Sequence, residues 1–295
     1  MLERRLPRYR PAAPAIPADQ AAAERIGRLA LRSLYREVAL APKPGLVTPA
    51  SQGSHGDMDF TTFQRSLHSL RPYFPEITVC GLRGPDFATL QSLGIAAEAE
   101  MLAATGGINT HRGAIFNLGL LCAAAGWLIA AGETPEAARV CQVVADSWGD
   151  DIRAGLASVP ATAPLSHGLA VARRYGSGGA RAEAAAGFPA AREVGLPAYR
   201  AALAATGDEE LAEVQALFAL IAEVDDTNLL WRGGPAGLAH GRHAAAQFLA
   251  AGGVLSDDWR AHAAAIDRDF VARRLSPGGS ADLLGVTLFL AGLGG

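Results

Sequence analysis

An all-α fold is what this sequence predicts, and three observations carry the prediction. Apolar residues recur at intervals of three and four along most of the chain, as Ile26, Leu29, Ala30, Leu34 and Val38 do, which puts them on one helix face. Runs that alternate apolar and polar residues, and the β-branched clusters a sheet would need, are sparse. Half of the residues are apolar yet only 6% are aromatic, and this alanine-rich cast suits helices packed closely through small side chains. A chain of 295 residues can bury about three quarters of its unfolded surface, and neither a fixed repeat nor a linker divides it. The expectation is a single compact multi-helix domain over 19–295, preceded by a flexible arm over 1–18 in which arginines alternate with prolines.

The first helix is expected over 19–40 and is stopped by Pro42 and Pro44. Residues 43–60, KPGLVTPASQGSHGDMDF, are too rich in Pro, Gly and Ser for a regular element and lead into a helix that starts near Asp59 or Thr61 and ends at Pro72. A helix over 85–104 carries Glu98 and is broken by Gly106 and Gly107. Asn109, Thr110, His111 and Arg112 then stand at the entrance of an apolar run without charge as far as Gly132. Asn or Thr there can cap the helix, and its free N–H groups attract anions such as phosphate. That run is long enough to cross a bilayer, but Asn117, four glycines and many alanines dilute its hydropathy, so a buried core helix is expected. Pro135 opens the next helix, to about residue 158. Short helical pieces fill 160–197, and longer helices follow over 197–206, 208–224, 235–251 and 256–274. A last apolar helix begins with Ser280 as its N-cap.

Composition narrows the function. A formal net charge of -3 argues against an extended nucleic-acid surface, though not against a local phosphate pocket. Three cysteines without CxxC spacing suggest no disulfide framework and fit a reducing, cytoplasmic setting. The first twenty residues lack the apolar stretch of a secretory signal. A P-loop, HExxH, GxSxG and a GxGxxG after a strand are all missing.

Five islands of polar residues and glycine interrupt the helical background at 43–59, 105–113, 166–189, 225–234 and 276–282. Burying that polarity without partners would cost about 1–3 kcal/mol per group, so the economical reading is one shared pocket. Asp57 and Asp59, two apart in a loop, suit a metal or a base, while Asp59 equally suits a helix cap. His55 reads as a hydrogen-bonding or phosphate-facing residue, because no second histidine follows at ligand spacing. Asp225 and Asp226 diverge by about 100° on a helix. Only one can face a pocket, and the other should pair with a neighbouring cation, for which Arg232 is the candidate. Lys43, between two prolines, and Arg181 suit phosphate or solvent. Asp282 is favourable in a first helical turn through the dipole alone. His68, His240, His243 and His262 fall on helical surfaces without companion polarity.

Taken in order, KPGLVT with SxGSHGDMD, ATGGINTHRGAIFNLGLL, SHG, GxRxEAxxGFP, DDTNLLWRGG and SPGGSADLL resemble the triphosphoribosyl-dephospho-CoA synthase family over about 34–290. One departure is Arg112, where that family commonly has lysine; the cation is kept but its geometry changes. The resemblance implies a pentosyltransferase that joins ATP to 3′-dephospho-CoA and releases adenine. Its product would be the prosthetic-group precursor for the acyl carrier subunit of malonate decarboxylase or citrate lyase. It implies catalytic roles among Asp57, Asp59, Glu98, Glu183 and Asp226, with the base unassigned. Mg²⁺ would be held by Asp57, Asp59, Asp225 and Asp226. Substrate would be met by Lys43, Ser54, His55, Asn109, Thr110, His111, Arg112, His167, Arg181, Asn228, Arg232 and Ser280, and by N–H groups after Gly107 and Gly279. A homodimer is plausible for such a helical surface. The alternative class is a metal-dependent hydrolase of an ADP-ribose-like bond, which would not need dephospho-CoA. On the transferase reading Asp57→Asn or Asp226→Asn should abolish adenine release with the fold intact.

Overall fold

The computed structural model describes residues 17–157 and 167–293, and among them thirteen α-helices and no strand. The fold is built around α5 (Arg112–Ala130), thirteen of whose nineteen residues are buried. It has the length and hydropathy of a membrane span, but α1 (Pro17–Ala39), α3 (Tyr73–Gly81), α4 (Phe87–Thr105), α6 (Ala137–Ala157) and α13 (Gly278–Gly292) enclose it. Small residues permit that enclosure. A methyl group added at Gly81 would lie 2.1 Å from the Ala123 carbonyl oxygen, and one at Gly126 would lie 2.1 Å from that of Thr78. The backbones of α3 and α5 therefore touch, which is what alanine- and glycine-rich helices allow. A second set of helices, α9 (Leu196–Thr206), α10 (Glu209–Glu223) and α11 (Thr227–Ala250), packs around α10 and meets α13.

Most of the expected elements are present, with four corrections. The helix expected to end at Pro72 is α2 (Phe60–Ser69), but a further helix that the sequence did not show, α3, follows at once with Pro72 as its N-cap residue. Tyr73, Phe74, Ile77 and Thr78 are buried, so packing against α1 and α5 overrides the weak propensity of a short segment rich in β-branched and aromatic residues. The DDTN–WRGG segment is not a loop before a helix. It is the first two turns of α11, joined to the rest through a kink at Gly234, whose φ is 62°, ahead of Pro235. Pro277, not Ser280, precedes α13, and Ser280 lies inside its first turn. His111 holds the N-cap position of α5 without a side-chain bond, while the Asn109 side-chain oxygen accepts the Arg112 N–H at 3.2 Å.

The region of short pieces resolves as α7 (His167–Tyr175), α8 (Gly179–Ala185) and a π-helical turn at Ala190–Gly195. A 3-10 turn at Gly253–Leu255 precedes α12 (Trp259–Ala272). The arm falls almost wholly outside the described residues. The three cysteines are free.

Candidate active site

A cavity of about 1000 Å³ opens where the 40–59 loop meets the beginnings of α5, α8, α11 and α13. Lys43 and His55 reach it from the loop, and Glu98 from α4. The entrance to α5 contributes Asn109, Thr110, His111 and Arg112. Arg181 and Glu183 come from α8, Asp225, Asp226, Asn228 and Arg232 from the start of α11, and Gly279 and Asp282 from α13. Apart from Glu98, which lies within α4, each of these stands in a loop or near a helix end, where a polar residue, glycine or proline breaks the apolar period. The five islands do converge.

Three of the four cations are held before any ligand arrives, two of them by carboxylates. Lys43 is 2% exposed, and its Nζ lies 2.7 Å from a carboxylate oxygen of Glu37. Arg112 donates from Nε to Glu98 at 2.6 Å. Arg232 donates to the carbonyls of Ser54 and Arg274 and, from Nη2, to His55 Nδ1 at 3.1 Å. Because that arginine can only donate, His55 Nδ1 accepts and its Nε2–H is left to donate to Ser276 Oγ at 2.9 Å. Burial, then the Arg232 charge, lowers the His55 pKa to about 4, against the weak pull of Asp57. Arg181 has no hydrogen-bond or ion-pair partner among the described residues, so a bound anion would be its first.

His111 is buried. Its Nδ1 lies 2.6 Å from Ser66 Oγ, its Nε2 has no partner, and burial followed by the Lys43 charge lowers its pKa to about 3. The cavity therefore presents a neutral imidazole. Beside it Thr110 Oγ1 is also unpartnered. Asp282 behaves in the opposite sense. Burial first, then the charges of Glu37 and Asp226, holds its carboxyl well above the usual carboxylate range, and it makes no hydrogen bond or ion pair with a described residue. Burial also raises Glu183, one of whose oxygens accepts the Ala190 N–H at 3.1 Å.

Several expected roles change. Asp226 is 1% exposed and its carboxylate is fully engaged. One oxygen accepts from Asn228 N at 2.8 Å and Leu229 N at 3.3 Å, and the other from Ser280 N at 2.7 Å and Ser280 Oγ at 2.9 Å. It caps α11 and clamps α13 to it, so burial, which pushes the carboxyl up, is opposed by four donors. The N–H after Gly279 is thereby spent on Asp226 rather than free for phosphate. Asp225 pairs with Arg242 at 3.0 Å, not with Arg232. Asp59 is the N-cap of α2, bonded to Thr62, and Asp57 is a largely exposed side chain 3.8 Å from His55. Neither lines the cavity.

The proposed metal quartet is therefore dispersed. Among the described residues no group of three or more His, Cys, Asp or Glu side chains is placed to hold a metal ion. Ser54 Oγ donates to the Leu275 carbonyl at 2.5 Å, which ties the loop to the α12–α13 junction instead of to a ligand. Gly107 serves the turn after α4 with φ 88°. His167 opens α7, and its side chain lies outside the described residues. His240, expected to stand alone, pairs with Asp269.

Two groups escaped the sequence reading. Glu37 lies in an ordinary amphipathic helix, where nothing marks it as the partner of Lys43. Asn117 interrupts an apolar run one turn beyond Gly113, and it is fully buried with neither amide atom partnered.

Residues 23–295 match the family model described as ATP:dephospho-CoA triphosphoribosyl transferase. A probable 2-(5''-triphosphoribosyl)-3'-dephosphocoenzyme-A synthase of Acinetobacter calcoaceticus is 45% identical over 268 residues, covering 91% of this chain and 90% of the relative. The synthase of Klebsiella pneumoniae is 43% identical over 91% of each chain. A probable synthase of Salmonella gallinarum is 40% identical over 98% of this chain and 94% of its own length. No solved structure matches. A cavity assembled by all five polar islands, in a chain related along nearly its whole length to these proteins, leads to one conclusion: the chain belongs to the ATP:dephospho-CoA triphosphoribosyl transferase family.

Proposed function

We propose that this chain transfers the triphosphoribosyl group of ATP to the 2′-hydroxyl of 3′-dephospho-CoA and releases adenine. The observation that carries the reading is the single cavity into which Lys43, His111, Arg181, Glu183, Asp226 and Asp282 are drawn from distant parts of the chain. Arg181, unpartnered, and the pre-paired Lys43, Arg112 and Arg232 form the cationic wall that a triphosphate needs.

In the reaction the bond between C1 of the ribose and adenine breaks as a bond from the 2′-oxygen to C1 forms, with positive charge developing on the ring. Asp282, its carboxyl held well above the usual carboxylate range by burial and the charges of Glu37 and Asp226, suits proton transfer. It gives its proton to the departing adenine and takes the hydroxyl proton in return, so the carboxyl is restored at each turnover. Glu183 lies on the same wall with one oxygen left to steady the ring charge. Mg²⁺ enters this proposal only as the counter-ion that ATP brings, because the expected aspartates do not gather around one point. The product would then serve as the prosthetic-group precursor for the acyl carrier subunit of malonate decarboxylase or citrate lyase.

The test is adenine release by the purified chain, measured with ATP alone, dephospho-CoA alone and both. Release that requires both substrates, with a new triphosphoribosylated product by mass spectrometry, is the expected result. Release from ATP alone at the same rate would replace transfer by hydrolysis, and no release under any mixture would overturn the reading.

A further inference from the structure

Asn117 has a structural position that the phosphate chemistry leaves unexplained. It lies in α5 between Phe116 and Leu118, is 0% exposed, and neither its Oδ1 nor its Nδ2 meets a hydrogen-bond partner. A buried amide with both edges unpaired is destabilising and calls for a partner that offers a donor and an acceptor side by side. Its surroundings restrict what that partner can be. Asn117 lines the cavity with Tyr73, Ile77, Leu90, Phe116 and Leu120, a wall that suits a flat uncharged ring system and not a phosphate. Lys43 and Arg232 come from other segments, and Arg112 stands at the first position of α5, five residues before Asn117.

We infer that Asn117 reads the adenine base of a bound nucleotide, its Oδ1 accepting from the N6 amino group and its Nδ2 donating to N7. Adenine supplies that adjacent donor and acceptor, which is why asparagine recognises it in a bidentate manner elsewhere. Hypoxanthine does not on that edge, where its O6 and N7 are both acceptors. Position supports the assignment. Gly113 and Asn117 are one turn apart on the same face of α5, a rise of about 6 Å, and the Asp282 carboxylate rests against Gly113. A base gripped at Asn117 therefore directs its glycosidic bond towards the carboxyl assigned to proton transfer. The inference rests on the proposed function, because it takes an adenine nucleotide as the ligand. Both substrates carry adenine, so the experiment addresses each.

The test is equilibrium binding by calorimetry of ATP and inosine 5′-triphosphate to the wild-type chain and to Asn117→Leu and Asn117→Asp, repeated with dephospho-CoA and its inosine counterpart. We expect the wild type to prefer the adenine form of one substrate by about tenfold to a hundredfold. That substrate is the one whose base lies at Asn117. Asn117→Leu should erase the preference by weakening only the adenine form, without lowering the melting temperature, since leucine is close in size and removes an unpaired amide. Asn117→Asp keeps the acceptor for the N6 amino group but loses the donor to N7, so it should weaken the adenine form while the inosine form, whose O6 and N7 would face the carboxylate, weakens at least as much. A wild type with no preference for adenine in either substrate overturns the inference without any variant. So does a folded Leu variant that keeps the full preference. Adenine release is recorded on the same samples. A wild type that discriminates between bases but never releases adenine removes the proposed function and leaves Asn117 as a base reader. A wild type that releases adenine but shows no base preference removes only the role of Asn117.

Discussion

Replacing Gly113 by alanine separates chemistry from stability more sharply than any other substitution at this site. An alanine methyl there would sit 2.0 Å from Asp282 Oδ2 and 3.0 Å from its Cγ, whereas ordinary contact begins at 3.4 Å. The obstacle is the tip of a flexible side chain and Gly113 is not among the residues at positive φ, so the carboxyl moves while the backbone stays. It must retreat by roughly 1 Å or more, and misplacing a reacting group by that much costs on the order of a hundredfold in rate. Stability goes the other way, because alanine is favoured over glycine in a helix by up to about 1 kcal/mol, less in a first turn. The expected outcome is adenine release reduced about a hundredfold in a protein that melts at or slightly above the wild-type temperature. Initial rates by liquid chromatography and a thermal melt on the same sample read both. Combined with Asp282→Asn, the second change should add little to the first, as for groups that act together. A folded Gly113→Ala protein within about threefold of wild-type activity would refute the assignment of proton transfer to Asp282.

Two further outcomes follow from the buried polar groups. Asp226→Asn cannot accept both the N–H and the O–H of Ser280 while still capping α11. It should therefore lower stability by about 1–3 kcal/mol, read as a drop of several degrees in melting temperature, so the loss of activity expected from the sequence comes with a weakened fold. An unchanged melting temperature would contradict the clamp between α11 and α13. The second concerns pH. His111 titrates at about 3 in the folded chain but near 6.5 when unfolded, so the unfolded state takes the proton first. The stability tied to a neutral His111 is complete above about pH 6.5. It is lost by about 1.4 kcal/mol per pH unit as the pH falls towards the folded value. The stability gap between wild type and His111→Gln, from urea melts at pH 7, 6 and 5, should change in that sense, and a gap constant across this range would show that His111 is not held neutral by burial.

The sequence determined the helical fold and the family. Heptad-like spacing in 19–40, 208–224 and 256–274 fixes helices whatever their neighbours, since one apolar face must find a core. The motifs from KPGLVT to SPGGSADLL fix which polar residues sit at helix ends. It did not reveal α3, because nine residues with weak propensity become helical only once α1 and α5 cover them. Nor could it divide labour among the carboxylates. Asp57, Asp59, Asp225, Asp226 and Asp282 are alike in sequence, and their roles depend on what lies within a few ångströms. Asp59 finds Thr62, Asp225 finds Arg242, Asp226 finds Ser280 from 54 residues away, and Asp282 finds only other acids and a glycine.

Charge state follows from those distances, because burial and neighbouring charges, not residue type, decide whether a proton is held. Tertiary structure alone therefore made His111 neutral, spent Asp226 on two helices, left Arg181 without a partner among the described residues and set Asn117 unpaired against an apolar wall. Local sequence encodes period and punctuation along the chain. The electrostatics of the cavity come from contacts between segments that only folding brings together.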